Sequence, residues 1–156
     1  MNICDSFLDL LSVNSGRCAD AEAQQLAAVR WLTEFLDFVP HAVIPYTPRL
    51  VSGILPSLGH HVEALQFASI RLNTLLFSLI HNLPSLDEAS PVSHATRSEH
   101  NESIVIIKPH NETDAFDYLA AVSSLTALFV DEHEEARLAA LKWLMMLHQK
   151  APKMVC

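Results

Sequence analysis

The chain has only three glycines in 156 residues, and β-branched runs are few. Leu, Ala and Ser are plentiful instead, so the composition favours helices. Positive charge is also scarce. Lys and Arg total 10 against 18 Asp and Glu, a net charge of −8. An acidic chain with no basic run is a poor partner for nucleic acid and for anionic lipid, because both are held by clustered Lys and Arg. The three cysteines, Cys4, Cys18 and Cys156, form no C-x-x-C pair. They are expected to be free thiols in a reducing compartment. The first residues, "MNICDSFLDLL", lack the basic start of a secretory signal. No apolar run reaches the ~18–20 residues that span a bilayer. The longest, "LAALKWLMML", is interrupted by Lys142. The triplets "NES" at Asn101 and "NET" at Asn111 are therefore expected to be chance matches.

Half of the residues are hydrophobic and 18% are charged, enough apolar material for a core. Helical periodicity and proline punctuation divide the chain. Helices are expected at about 3–12, 20–38, 47–58, 61–82, 114–130 and 132–150. Thr47 is the expected cap of the third, with Pro48 at its first position. Pro56 should kink or close that helix. Thr113 or Asp114 is the expected cap of the fifth. Residues 85–113 are rich in Ser, His, Asn, Glu and Pro and are expected to form a disordered insertion. "SIVIIKP" within them is the one β-like piece, expected to lie on the surface.

An internal repeat organises these helices. "AEAQQLAAVRWLTEFLDFVP" aligns without a gap on "HEEARLAALKWLMMLHQKAP" at a constant shift of 112 residues. Glu22 meets Glu134, Trp31 meets Trp143, and Pro40 meets Pro152. Pro84 stops the middle helix 44 residues after Pro40. A helix pair repeating every ~40–47 residues is the HEAT/armadillo period. The expected fold is all-α: an α-solenoid of three antiparallel helix pairs, about 3–38, 47–82 and 114–150. Stacking would bury what one pair cannot bury alone.

The chemistry is sparse. "HEEAR" at His133 nearly reads as the zinc-protease motif H-E-x-x-H, but Arg137 replaces the second ligand with a permanent cation. The acids Asp131, Glu132, Glu134 and Glu135 instead suit a helix start, with Lys142, Lys150 and Lys153 later. In "GHH", the adjacent His60 and His61 are expected to diverge as part of a polar turn. His94, His100 and His110 are too loosely spaced for a site. No nucleophile elbow, phosphate loop or dinucleotide fingerprint occurs. Trp31 and Trp143 occupy equivalent places in apolar helices and are expected in the core. No catalytic, cofactor-binding or metal-binding residue is assigned. The positions assigned as structural repeat positions are Trp31, Pro40, Asp131, Arg137, Trp143 and Pro152.

Two strings, "PYTPRLVSGILPSLGHH" and "EHEEARLAALKWLMMLHQKAP", resemble the vacuolar HEAT-repeat scaffold family known as the PIKfyve-associated regulators. The resemblance covers nearly the whole chain, apart from the extreme N-terminus and much of the insertion. It implies a non-catalytic adaptor with no cofactor. Its implied partners are a phosphatidylinositol 3-phosphate 5-kinase and a Sac-type phosphoinositide phosphatase, with self-association as a further option. The implied location is the cytoplasmic side of vacuolar or late endosomal membranes, reached through partners. In HEAT repeats generally an Asp and an Arg at the spacing of Asp131 and Arg137 often bond to turns of neighbouring repeats; Ala19 and Gln25 hold the equivalent places in the first pair, so a continuous ladder is not expected. The array continues in the family where this chain reads "KMVC", so the chain is read as an internal piece. A HEAT or armadillo adaptor of another trafficking or transport complex shares the same features. A small helical enzyme using His and carboxylates is the third reading.

Overall fold

The computed structural model describes residues 19–84 and 116–155, together with the isolated helical positions Ser6 and Asp9. Most of the expected 3–12 helix, the whole 85–113 segment and the Thr113 or Asp114 cap lie outside them. The described chain is all-α, with no strand among the described residues. The elements are α1 (Ala19–Phe38), α2 (Pro40–Val43), a 3₁₀ turn (Ile44–Tyr46), α3 (Thr47–Ile54) and a 3₁₀ turn (Leu55–Gly59). Then follow α4 (Glu63–His81), α5 (Tyr118–Ala127), a 3₁₀ turn (Leu128–Val130), α6 (Glu134–Lys150) and α7 (Pro152–Val155).

Proline makes the corners. It cannot donate a backbone N–H, and it pushes the preceding residue out of the helical region. Val39 has φ −138° and ψ 62°, and Ala151 has φ −144° and ψ 70°. Each N–H still closes the last turn at 2.9 Å, from Val39 to Phe35 O and from Ala151 to Leu147 O. Pro40 and Pro152 then open short helices in the same way. The two corners of the 112-residue repeat are therefore alike in backbone as well as in sequence. Pro56 acts differently, since α3 passes into the 3₁₀ turn that ends at His60.

Thr47 is not a cap. Val43 and Tyr46 are both helical, so winding continues from Pro40 into α3. The buried Thr47 hydroxyl donates back to Val43 O at 3.2 Å. Asp117 caps α5, accepting from Ala120 N–H at 2.9 Å.

The helices stack in a solenoid-like manner. α1 packs along α4, α3 along α5, and α6 against the Leu55–Gly59 turn and α5. One continuous core results, containing Val29, Leu32 and Leu36 of α1, Leu65, Leu72, Leu76 and Ile80 of α4, and Trp143 and Leu147 of α6. α6 reaches α4 through long side chains. Trp143 Nε1 donates to Asn73 Oδ1 at 2.8 Å, and Lys150 Nζ donates to Leu83 O. The second bond satisfies a carbonyl just past the end of α4, where helix carbonyls lose their partners.

Ser69 is buried in α4, and its hydroxyl has no hydrogen-bond partner among the described residues. An unpaired buried hydroxyl destabilises a fold. Ser69→Ala is expected to raise the unfolding free energy by on the order of 1 kcal/mol. A urea midpoint that falls would show that Ser69 makes a bond.

Candidate functional site

Three surface features hold exposed chemistry: the ends of the helix stack, a groove between α1 and α4, and a histidine cluster.

The ends of the stack show how repeat-equivalent positions part company. Trp143 is 1% exposed, held edge-on by Phe77 at 5.2 Å between ring centres. Trp31, its equivalent, is 64% exposed, which corrects the expectation that both lie in the core. The physical reason is the layer each helix has beside it. α1 is buried on the side of Val29, Leu32, Thr33 and Leu36, where it meets α4. α6 is buried on the side of Ala136, Ala140, Trp143 and Leu147, facing back to the preceding layer. Some positions covered in one helix are thus open in the other. Leu141 and Met145 align with the buried Val29 and Thr33, yet both are about half exposed. Leu138 joins them in a stripe at i, i+3 and i+7, one face of a helix.

Among the described residues, Asp131 and Arg137 bond within their own turn. Arg137 Nη1 donates to Asp131 O at 2.7 Å and to Glu132 O at 3.2 Å. The Asp131 carboxylate accepts from His133 N–H at 2.9 Å. Both residues close the turn that starts α6. Glu134 and Glu135 stand in its first turn and His148 and Lys150 in its last, in the order the helix dipole favours.

The groove between α1 and α4 has a volume of about 440 Å³. α1 supplies Arg30, Thr33 and Glu34 to it, and α4 supplies Ala64, Phe67, Ala68 and Arg71. Phe67 is largely exposed. Arg30 and Arg71 line the groove together with the Glu34 carboxylate. Nothing in the sequence marks it, because Arg30 and Arg71 come from different helices.

The third feature corrects the reading of "GHH". His60 and His61 do not diverge; their rings stack with centroids 4.4 Å apart and planes at 27°. The chain bends at 61–62, and Val62 N–H donates to His60 Nδ1 at 3.1 Å. His61 Nε2 lies 3.1 Å from Glu22 Oε1 in the first turn of α1. Ligand atoms of Glu22, His60 and His61 all lie within 4.8 Å of one another. Burial holds His60 below its ordinary pKa, aided by His61 and His133 and opposed by Glu22. Glu22 is remote in sequence, so spacing could not have indicated this group.

No helix among the described residues is long and apolar enough to cross a membrane. No family model matches the chain, and no solved structure matches it. Two curated proteins do. The chain is 26% identical over 156 residues, 96% of its length, to "Vacuole morphology and inheritance protein 14" of Saccharomyces cerevisiae. It is 23% identical over 126 residues, 81% of its length, to "Protein VAC14 homolog" of Schizosaccharomyces pombe. It is homologous to these proteins over most of its length and spans 14% of the length of each.

Proposed function

We propose that this chain is a segment of a non-catalytic helical scaffold that works in vacuole morphology. The observation that carries the reading is homology across nearly the whole chain to a yeast protein named for vacuole morphology and inheritance. The solenoid-like stack supports it, because stacked helix layers present extended surfaces for protein partners. In the finer form of the proposal, the scaffold joins a phosphatidylinositol 3-phosphate 5-kinase to its opposing Sac-type phosphatase. It thereby regulates phosphatidylinositol 3,5-bisphosphate synthesis on vacuolar or late endosomal membranes. Membrane attachment runs through partners, since the chain is acidic.

The test is co-precipitation from cells in which the chromosomal gene carries an epitope tag, so that the tag reports on the whole natural polypeptide. Both enzymes are expected in the recovered complex. Arg30→Glu with Arg71→Glu is expected to reduce recovery of a partner at least about tenfold if the α1–α4 groove is the contact, with helicity unchanged. Recovery of neither enzyme by the unmodified protein overturns the finer reading. Recovery of a different trafficking complex would assign the fold to another adaptor.

A further inference from the structure

We propose that Glu22, His60 and His61 form a zinc-binding site that clamps the start of α1 to the turn ahead of α4. Three observations carry this. First, the donors come from two elements remote in sequence yet gather within 4.8 Å. Second, the 3.1 Å separation of His61 Nε2 and Glu22 Oε1 is close to the ~3.3 Å edge of a tetrahedron of ligands about 2.0–2.1 Å from zinc. Third, the stacked rings put the two imidazoles side by side, with both within reach of Glu22.

The donor set selects the metal. Two imidazoles and one carboxylate suit zinc, which accepts nitrogen and oxygen ligands in a four-coordinate shell. Magnesium and calcium require oxygen ligands, and only one carboxylate is available. The Val62 N–H occupies the His60 Nδ1 lone pair, so ligation through Nδ1 exchanges that one hydrogen bond for a metal bond. The fourth position is left for water. His61 is well exposed, so zinc has an open path to the site.

The test titrates zinc chloride into the metal-free protein, with magnesium and calcium as comparisons. One equivalent of zinc is expected to bind. At a hundredfold excess over its Kd, Tm should rise by about 5–11 °C. His61→Ala and Glu22→Gln should each weaken zinc binding at least about tenfold. Their metal-free Tm should stay within about 2 °C of the parent, because an exposed His–Glu contact contributes little. Cobalt should give a visible absorption band that is lost in both variants. No zinc-dependent shift overturns the proposal. So does a shift that survives intact when His61→Ala and Glu22→Gln are combined, which would place the metal on other histidines such as His94, His100 or His110.

Discussion

Trp143→Ala is expected to lower the unfolding free energy by about 3–5 kcal/mol, whereas Trp31→Ala should change it by no more than about 0.5 kcal/mol. The two residues align in the 112-residue repeat and differ only in what lies beside them. Trp143 is 1% exposed, packs edge-on against Phe77 and hydrogen-bonds Asn73 of α4. Truncation there removes a large buried ring and leaves a cavity that the helices on each side cannot fill. It also strands the Asn73 carbonyl. Trp143→Phe should recover most of the packing but not that bond. Urea unfolding checks the energies. Fluorescence checks the placement: with these the only two tryptophans, Trp31→Phe should leave blue-shifted emission and Trp143→Phe red-shifted emission. Equal costs for the two alanine substitutions would refute the one-sided burial of α1 and α6.

Gly59→Ala should cost about 1–3 kcal/mol, for a reason of space rather than conformation. No glycine among the described residues has a positive φ, so the backbone at Gly59 suits any residue. A Cβ there would lie 2.9 Å from Glu135 Oε2 and from both Cβ and Cγ of His133. The Glu135 carboxylate ends a flexible side chain and can swing away. His133 Cβ is fixed to the backbone just before α6, so the start of α6 must move. That movement would loosen the seat of Ala136 and Ala140 next to the Leu55–Gly59 turn. Thermal unfolding and hydrogen exchange at the first turns of α6 measure the effect. An unchanged Tm with unchanged protection at 134–140 would show that the approach of α6 is loose enough to accept a methyl group.

The legibility of this chain divides by range. Corners were legible because proline acts on its immediate neighbours: Pro40 and Pro152 each end one helix and open another. The long helices α1, α4 and α6 were legible from periodicity and length. Thr47 was misread because capping residues also occur inside a helix that arrives already wound, where the hydroxyl bonds backwards instead. The Asp131 and Arg137 spacing resembled a pattern that reaches neighbouring repeats, but spacing does not say which carbonyls Arg137 meets. Its guanidinium is satisfied by two carbonyls of its own turn.

The functional features divide in the same way. The absence of a basic cluster and the broken H-E-x-x-H pattern were matters of residue identity, visible without coordinates. The α1–α4 groove and the Glu22–His60–His61 group were not visible, since each joins residues from separate elements.

The amino-acid sequence by itself determined an all-α chain, its proline corners and an internal repeat, because these depend on composition and on neighbours a few residues apart. Only the tertiary structure decided that Trp143 is enclosed and Trp31 is open, and that His60 and His61 meet a carboxylate from another helix. A repeat specifies which side chains a helix offers. Stacking decides which of them find a neighbouring layer, and that depends on a helix's place in the order rather than on its own residues.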